Sequence, residues 1–561
     1  MGVVMKRSNA TIQDFEIVEK LRSDELAALR SELENRRVDN HLKSLDERGR
    51  AQELVRDQYS GRYAFELLQN AADAMARIGT EGQVRFVLSN QALLIANTGG
   101  TFGHAEVAAI CGLGRSSKEA STSIGYKGLG FKSVAEISDE PQIISGNQRF
   151  FFSANRLQTE IQSIVGKLPA NQKLPTYAFP WPLTDVDLGD DVEVVRQLAA
   201  DEFGTVIRLP FKRGVTREEV ALAVRSTLSP SQLLFLQHVQ AVAFVDITDS
   251  TRNWSVQARR RPSTDRTIVE LTTNTQPERW IVFARRVTVD RRLTRPLGPA
   301  WAKVEKVSYA VAVKLRPRGM EPVPTLDGRI HAYFPTEEAT GLPFVVHADF
   351  ALELDRRRVA RTKEATAYNE WLCNKIAVLT SSEVAPKLAS KCGASTAVPI
   401  ALLSLNNARG ETGAYLRKLC LTRLSSTAWL PRADAKLCRP SDVALLPRNI
   451  CGLAATFEFL IERTSKQLLA RTIQESDDTA KLLGQLVGVK SWTADVVVQH
   501  FRRPTSETYR KFWKLLLAWH DRAPGLDKVL AKTPWLLCVD NRWRTAESGP
   551  YLPRQKDVAL P

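Results

Sequence analysis

A chain of 561 residues with 43% hydrophobic content is long enough for three or four domains with sizeable cores, and its formal charge of +16 points toward polyanionic or acidic partners. No apolar run approaches the roughly 20 residues needed to cross a bilayer, and the start MGVVMKRSNA lacks a signal peptide's apolar centre, so the sequence predicts a cytoplasmic protein with no membrane partner. Seven scattered cysteines without a CxxC pair, and seven histidines that form no ligand cluster, argue against a disulfide framework or a zinc site.

The first 50 residues read as a helical segment rich in Glu, Arg and Leu. YAFELLQNAADA, residues 63 to 74, then predicts a helix with Glu66, Asn70 and Asp73 at i, i+4 and i+7, on one stripe of an otherwise apolar segment. A helix presenting Glu and Asn into a pocket can hold magnesium and activate a water; an amphipathic helix with a solvated polar face shows the same pattern. QVRFVLSNQALLIANTGGTF follows as two strand-like runs about the turn Ser89-Asn90, the second ending in Asn97-Thr98-Gly99. GLGRSSK, from Gly112 to Lys118, leads into SIGYKGLGFKSV, where Gly125, Gly128 and Gly130 precede an apolar helical start. Glycines there let backbone amides approach phosphate oxygens, yet the spacing matches neither a Walker loop nor a dinucleotide fingerprint. FGTVIRLPF, residues 203 to 211, is a strand opening with Gly-Thr.

These five segments, in this order over about 150 residues, resemble the ATP-binding domain of the GHKL superfamily, and within it the sacsin and NO VEIN type, whose lid and glycine box read like SSK and IGYKGLGFKSV. The resemblance implies an α/β class: a two-layer GHKL (Bergerat) sandwich over 51–215, a basic transducer-like α/β domain over 216–365 and a mainly helical region over 366–561. It implies ATP and Mg2+ as cofactors, Glu66 as the general base for the attacking water and Asn70 as the metal ligand. Asp73 lines the nucleotide pocket or supports the helix. Asn97 stands where most of the superfamily has the Asp that receives the adenine amino group; it keeps a carbonyl acceptor but loses the charge. Gly99 gives the turn beside the base and Thr205 helps close it. Ser116, Ser117 and Lys118 belong to a mobile lid. Gly125, Lys127, Gly128, Leu129, Gly130, Phe131, Lys132 and Ser133 form the phosphate-facing box. A basic side chain from the second domain, Arg356 or Arg358 in FVVHADFALELDRRRV, is expected to reach the terminal phosphate.

Residues 216 to 360 alternate strand-like runs with basic loops, and residues 251 to 330 hold 17 Lys/Arg against 7 Asp/Glu. Arg259, Arg260, Arg261, Arg285, Arg286, Arg291 and Arg292 are candidate contacts for double-stranded DNA or another polyanion, against the alternative of a basic face kept for solubility or an acidic subunit. Residues 428 to 447 align without gaps to residues 534 to 553, pairing Trp429 with Trp535 and Asp434 with Asp540, each copy reading as a strand, an Asp-centred turn and a second strand. Placing the second copy near Pro561 raises the expectation that the native chain extends further. The combined expectation is an ATP-hydrolysing conformational switch, homodimeric or coupled to an effector, nuclease or helicase, as in chains of bacterial antiviral defence. A chaperone-like ATPase and a non-hydrolysing nucleotide-gated scaffold are the alternatives.

Overall fold

The computed structural model describes residues 15–35, 37–58, 61–112, 130–274, 277–353, 355–447, 464, 466–493, 496–497, 526–532, 534, 536–538, 540 and 542–549. The chain forms two compact units: one of residues 1–309, 331–336 and 347–369, the other of residues 310–330, 337–346 and 370–561.

The first unit is mixed α/β. Two helices, α1 (Glu16–Glu34) and α2 (Val38–Gln58), open it, as the composition predicts. Leu26, Leu29, Leu42 and Leu45 from these helices pack on Leu157 and Ile161 of a later helix and on Phe179, so the N-terminal segment is an integral layer of this unit. Helix α3 (Tyr63–Ile78) follows and stops at Gly79, whose left-handed φ of 69° lets its amide close on the last turn.

Strands β1 (Gly82–Leu88), β2 (Ala92–Asn97), β3 (Gln142–Ser145), β4 (Gln148–Phe151), β5 (Trp181–Pro182), β6 (Thr205–Pro210), β7 (Val239–Asp246), β8 (Trp254–Pro262), β9 (Thr267–Thr273) and β10 (Pro277–Thr288) lie in the order β10-β9-β8-β7-β1-β2-β6-β3-β4-β5. Most of these pairs are antiparallel, but β7 adds to β1 in parallel, with Val84 beside Val242 and Phe86 beside Phe244. Such mixing fits β2, buried at every position, whose ALLIAN is a continuous apolar run rather than an alternation. Leu94, Ala96 and Val206 pack one face of the sheet against Leu188, Val195, Leu198 and Phe203.

Two local expectations change. The segment after the glycine box, Gly130–Glu136, is a 3-10 helix rather than the start of an α-helix. The basic residues 259 to 261 are not in a loop; they form the end of β8, where alternation turns Arg259 and Arg261 outward.

In the second unit both sequence repeats fold as hairpins. Leu430 pairs with Cys438 and Pro431 with Leu437; 106 residues on, Leu536 pairs with Arg544 and Leu537 with Trp543. The turn carboxylates act alike: Asp434 accepts the Lys436 amide and Asp540 the Arg542 amide, each at 3.2 Å. A 3-10 turn follows each hairpin, at Pro440–Asp442 and Ala546–Ser548, again offset by 106.

Candidate active site

Helix α3 carries the site, and its polar stripe is not solvated. Glu66 is 2% exposed, Gln69 2% and Asp73 8%, while Asn70 is half-buried. Burying a carboxylate without compensation is costly, so the surroundings of Glu66 decide what the helix does. Its Oε2 lies 3.7 Å from the Arg356 guanidinium. Its Oε1 has no hydrogen-bond partner among the described residues. Beneath it lies Gly130: a Cβ there would stand 1.9 Å from Oε2, so any larger residue would displace the carboxylate.

Arg356 reaches this point through an unusual turn. Leu352 and Val359 bridge, the Glu353 amide donates to the Arg358 carbonyl at 3.0 Å, and the Asp355 carboxylate accepts the Arg357 amide at 2.9 Å. At the tip Arg356 adopts φ 56°, a left-handed conformation that non-glycine residues avoid, and its side chain is buried at 7% exposure. The guanidinium also donates to Gln69 Oε1. Arg358, the other candidate, is exposed. Of the pair named from sequence, Arg356 is brought to Glu66. Gln69, three residues after Glu66 and hence on the same stripe, was legible by spacing and was passed over.

At the other end of α3, β2 delivers Asn97 to a turn in which its Oδ1 accepts the Gly99 amide at 3.0 Å. A Cβ on Gly99 would come within 2.9 Å of Ala74 and 3.0 Å of the Met75 amide, so glycine is needed for strand and helix to approach. Asn97 pairs with Thr205 across β2 and β6. The Thr205 hydroxyl is buried 2.5 Å from Ser145 Oγ, which itself accepts the Phe102 amide at 2.9 Å. Ser145 was not foreseen, because only the β3–β6 register brings it here.

Lys132 and Ser133 are used inside the fold. Ser133 Oγ donates to the Gly130 carbonyl at 2.6 Å. The Lys132 amine donates to the Ile110 carbonyl and lies 4.2 Å over the Tyr177 ring, and burial pushes it down to about 7. Phe131 meets the same ring edge-on at 6.0 Å. Ser116, Ser117, Lys118, Gly125, Lys127, Gly128 and Leu129 lie outside the described residues.

The basic candidates separate into two groups. Arg260 points inward, donating to the carbonyls of Leu233, Leu236 and Val239 at 2.7, 2.8 and 3.0 Å. Arg285 is half-buried and donates to the Asp265 carbonyl at 2.9 Å. Arg259, Arg261, Arg286, Arg291 and Arg292 are exposed, with Arg261 paired to Glu270 and Arg291 to Glu305.

The buried carboxylate on α3, the glycine that backs it and the strand-end Asn-x-Gly all lie within a stretch that matches a known family. Residues 49–259 match the Sacsin domain family, a GHKL-like ATPase type. Over 337 residues, 58% of this chain, the sequence is 26% identical to Protein NO VEIN of Arabidopsis thaliana. Residues 49–259 are thus sacsin-like and the chain is similar to NO VEIN, of whose length it spans 11%. Among the described residues no helix is long and apolar enough to cross a membrane.

Proposed function

We propose that the first unit binds and hydrolyses ATP in a GHKL sandwich and uses the cycle as a conformational switch. The observation that carries this reading is Glu66: a carboxylate 2% exposed, one oxygen unpartnered among the described residues, the other backed by Gly130 and faced by Arg356. A buried carboxylate with a vacant lone pair is suited to orient a water and take its proton, and a neighbouring guanidinium to stabilise charge developing on a transferred phosphoryl group. Asn70, one turn along the same stripe, is the residue to hold magnesium, which when bound neutralises phosphate charge. Asn97, Gly99 and Thr205 receive the base, and Asp73 supports that end of the helix.

The exposed arms of Arg259, Arg261, Arg286, Arg291 and Arg292 support coupling of the switch to a polyanion such as double-stranded DNA; the inward Arg260 does not contribute. The test is magnesium-dependent ATP hydrolysis by wild type and Glu66→Gln, with and without DNA. Glu66→Gln keeps the volume and avoids stranding Arg356 beside a cavity. Loss of about 10²- to 10⁴-fold in turnover with nucleotide affinity retained is expected. Wild-type turnover in the variant would refute the assignment of the base.

A further inference from the structure

On the nucleotide reading, α3 has a direction. Gly99 backs onto Ala74 and Met75 near its C-terminal end, whereas Gly130 and Arg356 meet Glu66 in its first turn. These points are roughly 13 Å apart along a helix axis. The base belongs at the first and the terminal phosphate at the second, beside the helix N-terminus.

Three observations coincide there. The N-terminus of α3 is buried, with Tyr63 and Ala64 each 2% exposed, and no side chain among the described residues caps it. The N-cap residue, Arg62, is itself only 6% exposed, and its guanidinium folds back over the first turn, 5.0 Å from the Phe65 ring centre. Its Nε has no hydrogen-bond partner among the described residues. The charged groups around that guanidinium are Glu66, Arg356, Asp355 and Arg357. Glu66 and Asp355 favour its charge while Arg356 and Arg357 oppose it. Burial pulls its guanidinium below the ordinary arginine value while Glu66 works against that. The Glu136 carboxylate accepts the Gly61 amide at 2.5 Å, upstream of the helix. A desolvated guanidinium and a buried, uncapped helix N-terminus each call for an anion, and here the N-cap residue Arg62 carries the first at the start of the second.

We propose that Arg62, together with the first-turn amides of α3 and Arg356, forms an oxyanion site that takes the terminal phosphate of bound nucleotide and inorganic phosphate after cleavage. The placement of the terminal phosphate rests on the nucleotide reading; the anion site itself does not. Arg62 supplies planar, charge-assisted donors that distinguish a triphosphate from a diphosphate.

The full-length chain is tested in two arms. In the first, thermal unfolding is followed against inorganic phosphate, with chloride at matched ionic strength. Wild type is stabilised saturably, and Arg62→Met, which keeps the packing on Phe65, loses the shift. In the second, affinities for a non-hydrolysable ATP analogue and for ADP are compared. Arg62→Met weakens the analogue on the order of 10- to 100-fold and leaves ADP within about twofold. Where the Met variant does not fold, Arg62→Lys decides, and its half-saturating phosphate concentration rises several-fold. A phosphate shift unchanged by either variant, or absent in wild type, overturns the proposal. Phosphate stabilisation that depends on Arg62 in a chain that binds no nucleotide upholds the anion site and instead overturns the ATPase reading.

Discussion

Gly130→Ala puts the proposed catalytic geometry under direct strain. The added Cβ would stand 1.9 Å from Glu66 Oε2, 2.8 Å from its Cδ and 3.2 Å from its Cγ. Gly130 is not among the positive-φ glycines, so the penalty is steric rather than conformational. The obstacle is the end of a flexible side chain, which ordinarily yields cheaply. Here the carboxylate is 2% exposed, with Arg356 on its other side, so yielding means leaving its position. Overpacking of this kind costs about 1–3 kcal/mol, whereas a displacement of about 1 Å in a reacting group can cost on the order of 10²-fold in rate. Hydrolysis is therefore expected to fall about 100-fold while the fold survives. Stability is read by denaturant unfolding in a cycle with Glu66→Ala: the alanine at 130 destabilises the wild-type background and is nearly neutral once the carboxylate is gone. Equal destabilisation in both backgrounds, or wild-type turnover in Gly130→Ala, would falsify this account of the contact.

Asn97→Asp keeps the turn at Gly99 and adds a charged acceptor; adenine nucleotide affinity should rise several-fold, read by competition of ATP against GTP. Gln69→Leu removes the acceptor that holds Arg356, and turnover should fall with little change in nucleotide affinity; no further loss is expected in an Arg356→Ala background if Gln69 acts through that arginine. Arg260→Ala strands three carbonyls and should lower stability by about 2–4 kcal/mol, without changing the salt dependence of any DNA binding, which Arg259→Ala and Arg286→Ala should weaken. Burial pushes Asp349 up to about 6 and holds His347 down at about 3. The folded state retains a proton on Asp349 that the unfolded chain loses, so this group's contribution falls as pH rises from about 4 to 6; His347 contributes the opposite slope over the same window. Asp349→Asn should leave the histidine slope uncompensated, so that the variant loses about 1.4 kcal/mol per pH unit relative to wild type on acidification through that window, measured by unfolding at each pH.

What was legible in the sequence is what repeats locally. The i, i+4, i+7 stripe of α3, the two strands about Ser89-Asn90 and the 106-residue offset of the hairpins are periodic signals, and the hairpins keep even their register. What was not legible depends on partners far along the chain. Whether the stripe faced water or the interior could not be read from spacing; 290 residues separate Glu66 from the arginine that covers it. The triple arginine 259–261 looked like one basic cluster because composition ignores pleat; β8 sends Arg260 to the opposite side from its neighbours. Gly130 was expected for its freedom near phosphate, and its role in the fold is the space it leaves for a carboxylate.

Backbone strain gives the last indication of where function lies. Two of the described non-glycine residues with positive φ, Tyr333 at 64° and Arg356 at 56°, belong to the short segments 331–336 and 347–369 that the first unit recruits from beyond residue 309. Arg356 brings its side chain to Gln69 and Glu66 of α3, whereas Tyr333 turns to Asp349, with Phe334 beside it meeting Phe65 edge-on at 5.6 Å. Each such conformation costs of order 1–3 kcal/mol, and it persists only where surrounding contacts over-determine it. Relaxed turns would serve as well if these segments merely completed the sheet. Strain placed at Arg356, which addresses the polar stripe, instead ties the recruited segment 347–369 to the charge on α3. On the proposed switch, a group that alters the charge around Glu66 would alter the balance that holds Arg356 in its left-handed turn.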